Sequence, residues 1–245
     1  MVLYSPLGCV KMYFVKKRCI MIEILYKSRA LIAIYKPHGI PSQPDPSGDP
    51  DAMTLTREAL AKAGEPDALW LIHRLDRVVG GIMIFARSKK YAAALTDMLK
   101  ERVITKEYYA VLDGATPGGK FEDYIYKDAR AGKAFIVERE RSGVKRASLT
   151  CVPLAERTTD RGVKTLVKIS LDTGRFHQIR SQTSHRSTPV TGDGKYGSHD
   201  NRAKHIALVA SHVNLSVLAE KLDITRLPDL KEYPWSLFDE ADFVK

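Results

Sequence analysis

Cysteine is scarce in this chain: Cys9, Cys19 and Cys151 stand far apart, with no C-x-x-C pair. That excludes a disulfide framework and a cysteine-based zinc site, and it fits a reducing, cytoplasmic setting. Long apolar runs are missing too. No stretch of about 18 uncharged apolar residues exists, so no helical membrane span is expected. The segment Thr191-Gly192-Asp193-Gly194-Lys195 has Pro189 where a phosphate-binding loop needs its first glycine. H-E-x-x-H is absent, and His199, His205 and His212 lack metal-ligand spacing. Neither a metal nor a nucleotide cofactor is expected. Acidic residues are in deficit, 29 against 39 lysines and arginines, for a net charge of +10. Residues 213–245 are nevertheless net acidic, so the body is more basic still. A basic body favours a polyanionic partner, most simply nucleic acid.

Apolar residues make up 44% of the 245, enough for a real core. Residues 1–20 carry Lys11, Lys16, Lys17 and Arg18 in the wrong order for a signal peptide. They read as an N-terminal extension, and 21–245 as a single domain. Strands are expected at 22–26, 30–35, 69–72, 81–86, 108–112, 121–126, 134–137, 146–152 and 165–171, with another inside 204–213. Helices are expected at 54–63, from an N-cap at Ser88 to about Val103, and from near Arg175. Between Lys36 and Pro50 five prolines exclude helix and make a long loop, of a length that is often functional. Many strands and few helices imply an α+β fold with a mixed, largely antiparallel sheet flanked by helices.

Three polar blocks stand out in order. His73-Arg74-Leu75-Asp76 follows a short strand and precedes Gly80-Gly81. Lys106-Glu107-Tyr108-Tyr109-Ala110 opens a strand. Thr173-Gly174-Arg175-Phe176-His177-Gln178-Ile179-Arg180 leads into a helix, followed by Gly192-Asp193 and Tyr196-Gly197. A lone aspartate at the Asp76 position is ordinarily a turn or capping residue. Here it is accompanied by more arginine and histidine than a turn needs. Arg180 sits in the first turns of a helix, against the helix dipole, so an anionic partner is expected. Tyr108 and Tyr109 point to opposite sides of their strand, so one belongs to the core and the other can offer a ring to a base. Periodicity leaves open which is which.

These blocks resemble those of the RluA-type RNA pseudouridine synthases. That family reads roughly H-R-L-D-x-x-T-S-G, K-x-Y-x-A-x-x-x-G and T-G-R-x-H-Q-I-R. This chain has HRLDRVVGG, KEYYAVLDG and TGRFHQIR, then PVTGD and KYG. The opening YKPHGIPSQPD is similar as well, so the likeness runs from about Ile22 to Val213. It implies an isomerase that converts specific uridines of structured RNA, ribosomal or transfer, to pseudouridine. It further implies Asp76 as the catalytic carboxylate, Tyr108 against the target base and Arg180 as the partner of Asp76. Arg74, Arg175, His177 and Gln178 are then expected to bind RNA. Val79 and Gly80 depart from the family's Thr-Ser, and Gln182 and Thr188 stand where histidines are common. About 20 residues precede the likeness, too few for an accessory RNA-binding domain, so binding is expected from the basic surface and the 36–50 loop. A monomer with no obligate protein partner is expected.

The reaction breaks a carbon–nitrogen glycosidic bond, turns the uracil and rejoins it through carbon 5, which needs no cofactor. A carboxylate can attack the anomeric carbon or remove the ribose 2′ proton. Two other readings compete: a non-catalytic RNA-binding protein, and an RNA-cleaving enzyme using His73 or His177.

Overall fold

The computed structural model describes residues 22–217 and 220–244; the 1–20 extension lies outside the described residues. The chain divides into two compact units, one ending at Lys100 and one from Glu101 to Lys245.

The first unit contains β1 (Glu23–Lys27), β2 (Leu31–Lys36), α1 (Ala52–Lys62), β3 (Trp70–Leu71), β4 (Gly80–Ala86) and α2 (Lys89–Lys100). β2 pairs antiparallel with β1 on one side and β4 on the other, and β3 adds to the end of β4. Both β2 and β4 are near-continuous apolar runs because both of their faces are covered: every residue of GGIMIFA is buried. Asp51 starts α1 by accepting a hydrogen bond from the Thr54 N–H at 3.0 Å, and Leu55, Thr56, Ala59 and Leu60 form its buried stripe. Ser88 caps α2 as expected, accepting from the Tyr91 N–H. This helix ends at Lys100 rather than Val103, because Arg102 turns left-handed with φ 61°, and Val103 is left 48% exposed.

The second unit contains β5 (Thr105–Asp113), β6 (Gly119–Asp128), β7 (Lys133–Val137), β8 (Val144–Thr159), β9 (Gly162–Leu171), α3 (Gln178–His185), β10 (Leu208–Val217) and β11 (Glu220–Thr225). Its strand order is β11-β10-β5-β9-β8-β6-β7, antiparallel at each pairing. The long β8 tolerates Pro153 because the register shifts there, between Pro153 and Ala155. α3 begins at Gln178, three residues later than the sequence suggests, because His177 holds a left-handed φ of 50°.

The acidic C-terminal stretch is not a free tail. Trp235, Phe238 and Phe243 are buried. Asp242 pairs with Arg157 at 2.6 Å and closes a capping box with Asp239. This segment covers one side of β5: the Tyr109 hydroxyl donates to the Phe243 carbonyl at 2.9 Å, and the two rings meet edge to face at 4.8 Å. Tyr109 is thus core. Tyr108 faces the other side of the strand but is buried as well, at 6% exposure, so burial does not separate the two as expected.

Tyr109→Phe should lose about 1 kcal/mol, one buried hydrogen bond, and Tyr109→Ala roughly 3–5 kcal/mol, as read by chemical denaturation. An unchanged midpoint in Tyr109→Ala would contradict this anchoring.

Candidate active site

Asp76 sits on the loop between β3 and β4, and the backbone of that loop is held carbonyl by carbonyl. Ser42 Oγ donates to the Leu75 carbonyl at 2.7 Å and accepts from the Leu75 N–H at 3.0 Å. The Val79 N–H donates to the Asp76 carbonyl at 3.0 Å. The Arg77 carbonyl accepts from the Gly39 N–H at 2.8 Å and from Lys36 Nζ at 3.3 Å. His38 Nδ1 donates to the Val78 carbonyl at 2.8 Å; a carbonyl partner requires the proton on that nitrogen. The donors come from the segment just after β2. Its Pro-x-Gly composition lets the chain turn tightly there, with Gly39 at φ 87°.

Lys36 is the centre of this clamp. It is fully buried, and Nζ also donates to the Pro37 and Ile40 carbonyls at 2.9 and 2.8 Å. Burial lowers its pKa from 10.5 to about 7, while the charge of Asp76 draws it upward. Three carbonyl acceptors use three N–H donors, so the cradle favours the ammonium form. The outer part of the 36–50 loop is exposed, but its polar side chains are bonded to protein. Asp45, Ser47 and Asp49 all bond the Arg77 guanidinium; the Ser47 hydroxyl and then Arg77 hold the Asp45 carboxyl below its ordinary range, and Arg77 and then Ser47 do the same for Asp49. At these side chains the loop expected to contact RNA also braces the Asp76 loop, and residues 43–49 remain exposed.

The departures from the family motif find a local explanation. Val79 is buried apolar surface. A Cβ placed on Gly80 would lie 2.6 Å from His38 Nε2 and 2.7 Å from its Cδ2. The imidazole fills the space that a side chain at 80 would need.

In the second unit Arg180 is 4% exposed and has the anionic partner its place in the helix demands. Nε and Nη2 bond the two oxygens of Asp193 at 2.6 and 2.9 Å, and the guanidinium lies 4.9 Å over the Tyr196 ring. Asp193 is delivered by the 189–193 turn, where Gly192 is obligatory: φ is 82°, and a Cβ would meet Ala203 Cβ at 2.9 Å. Beneath that turn the buried Lys164 ammonium bridges Asp113 and Asp200 at 2.5 and 2.9 Å, and Asp113 also accepts from Thr191 and Ser198.

Arg74 and Arg175 are exposed, as RNA contacts require. Gln178 is 3% exposed. Its amide oxygen accepts from Thr173 Oγ1 and the Arg175 N–H, and its nitrogen donates to the Ser148 carbonyl, so it ties the T-G-R turn to β8. His177 bonds the Tyr196 hydroxyl at 2.9 Å. Burial, then the charges of Arg180, Lys195 and Lys127, push its pKa down to about 3. His73 is buried and its Nε2 accepts the Ile84 N–H. Neither histidine suits acid–base cleavage of RNA near pH 7. Gln182, where the family often has histidine, donates to the Phe121 carbonyl and to Asp123. Among the described residues no group of three or more His, Cys, Asp or Glu could hold a metal ion, and no helix is long and apolar enough to cross a membrane.

Residues 30–185 match the family model for RNA pseudouridylate synthases, a span that includes Asp76, Tyr108 and Arg180. The chain belongs to this family, within its RluA-type branch. Among its relatives, tRNA pseudouridine synthase C of Haemophilus influenzae is 32% identical over 81% of this chain and 83% of its own length. Ribosomal large subunit pseudouridine synthase D of Yersinia pestis is 28% identical over 76% of this chain, which spans only 55% of that protein. Of solved structures, human RNA pseudouridylate synthase domain containing 1 superposes with a TM-score of 0.72, covering 85% of this chain and 84% of its own at 23% identity, and so shares the fold.

For this synthase, Gly80→Ser should displace His38 and free the Val78 carbonyl, slowing single-turnover isomerisation about fivefold, the worth of one hydrogen bond. His38→Ala should cost about the same, and His38→Ala/Gly80→Ser no more than either alone. Losses that simply multiply in the double variant would contradict the coupling.

Proposed function

We propose that this pseudouridine synthase isomerises a uridine in structured ribosomal or transfer RNA, with Asp76 as its catalytic carboxylate and Tyr108 and Arg180 completing the catalytic set. The observation that carries the reading is the clamp on residues 75–78. A nucleophile or base must be fixed before the substrate arrives, and here every carbonyl flanking Asp76 is already bonded. Relatives named for transfer RNA and for ribosomal RNA support the substrate class.

The target uridine leaves its stack to reach the carboxylate. Asp76 then either attacks the anomeric carbon as the glycosidic bond breaks, or removes the 2′ proton to expel uracil. The uracil turns and carbon 5 bonds the anomeric carbon: in the first route it displaces the Asp76 carboxylate, and in the second it adds to the C1′–C2′ double bond as Asp76 returns the proton to carbon 2′. The proton on carbon 5 leaves and N1 takes one up, so atoms and electrons balance without an external reagent. In this reading Tyr108 lies against the base. Arg74, Arg175 and His177 contact the RNA, while Gln178 acts through the turn that presents them. The enzyme works in the cytoplasm as a monomer without a fixed protein partner; the cytoplasmic part of this reading is supported by the scarcity of cysteine and the lack of a C-x-x-C pair in the sequence.

Asp76→Asn should reduce isomerisation by roughly 10²–10⁴-fold or more while leaving RNA affinity and melting temperature unchanged. The readout is pseudouridine mapping in RNA treated with each protein. Near-normal turnover in Asp76→Asn would sink the assignment.

A further inference from the structure

The β6–β7 hairpin has one closed face and one open face. On the closed face Ile125, Ala134 and Ala147 form a small core, with Ile136 and Phe176 packed against it. On the open face Tyr126 and Phe135 are direct cross-strand partners, with Tyr124 opposite Val137 beside them. Tyr126 is 36% and Phe135 41% exposed, two of the few large apolar side chains in water among the described residues. Both rings carry cations. Lys133 Nζ is shared between two rings, 5.6 Å from the Phe135 centroid and 5.0 Å from that of the buried Tyr196, and the Arg141 guanidinium lies 5.8 Å from the Tyr126 centroid. Neither cation is bonded to a carboxylate among the described residues.

We propose that this open face, Tyr126 and Phe135 with Lys133 and Arg141, is a stacking platform for unpaired nucleotides of the RNA substrate. The proposal rests on the reading of the protein as an RNA-modifying enzyme and adds where a single-stranded part of the RNA is held. Rings at neighbouring cross-strand positions offer π-faces to successive bases, and the flanking ammonium and guanidinium reach for their phosphates; any base can stack, so such a platform tolerates sequence. Charge supports the choice of occupant. Residues 119–146 carry eight lysines and arginines against five acids. Of the acids, Glu122 is paired with Lys120 and Arg146, and Asp123 with Arg186. Asp128 is turned to the backbone N–H groups of Arg130 and Ala131. Glu138 and Glu140 stand exposed in the turn after β7, on either side of Arg139. A protein-binding patch is depleted in lysine at its centre, whereas here lysine and arginine sit on the rings themselves.

The test compares wild type, Tyr126→Ala/Phe135→Ala and Tyr126→Phe/Phe135→Tyr in the full chain. The probe is a fluorescein-labelled single-stranded RNA of about 15 nucleotides, with a blunt RNA duplex as control. The alanine pair should bind the single strand about fivefold to a hundredfold more weakly, the worth of one stacked base, and bind the duplex as before. The aromatic exchange should stay within about twofold of wild type. On an RNA substrate with an unpaired flank, the alanine pair should raise KM and leave kcat at saturation unchanged. Ring-dependent binding of the single strand by a wild type that isomerises no uridine would uphold the platform while the catalytic reading fell. Equal single-strand affinity in the alanine pair and wild type would overturn the proposal. So would a wild type that sediments as a dimer and an alanine pair that sediments as a monomer, since the face would then be a protein interface.

Discussion

A buried ammonium group organises the Asp76 end of the first unit. Lys36 has no exposed surface, and its charge is tolerable only because three carbonyls and the nearby Asp76 charge compensate its lost hydration. That requirement dictates the path of the chain on both sides. The Pro37–Ile40 turn must curl back to present its carbonyls, and the Arg77 carbonyl must point inward. Once Arg77 is so oriented, its guanidinium projects toward Asp45 and Asp49 and pins the far end of the proline-rich loop. Asp76 lies between the Ser42 contact at Leu75 and the His38 contact at Val78. The order of the aspartate is a consequence of burying the lysine.

The second unit repeats the device with different residues. Lys164, 1% exposed, is held between Asp113 and Asp200, and Asp113 takes the hydroxyls of Thr191 and Ser198 on either side of Asp193. Removing one partner of such a buried pair ordinarily costs 3–5 kcal/mol, whereas the exposed pairs around Glu122 are worth about 1 kcal/mol or less. The buried network therefore governs the position of Asp193, and through it the guanidinium of Arg180.

Elements whose signal is local were legible in the sequence. β2 and β4 are apolar without interruption, and Ser88 announces α2. The three motif blocks were legible because their chemistry is compressed into short segments. What escaped depends on distant partners. Tyr109 is fixed by Phe243, 134 positions away. α3 starts late because His177 is left-handed and bonded to Tyr196, which no cap residue signals. Gln178 looks like an RNA contact by its place in a motif, yet its amide is spent on Thr173, Arg175 and Ser148. Lys36 is the instructive miss. Period-2 alternation puts it on the same face as Ile32 and Ile34, which marks it as buried, but a lysine at a strand end is habitually read as pointing to water.

The most direct test of the central claim, that Lys36 clamps the Asp76 loop, is residue-resolved amide hydrogen exchange at Gly39, Leu75 and Val79 in wild type and Lys36→Met. The clamp predicts that all three are protected in wild type. It predicts that they exchange faster by about tenfold or more in the variant, with Val111 in β5 unchanged. Free exchange of Leu75 and Val79 in wild type, or undiminished protection in Lys36→Met, would contradict it.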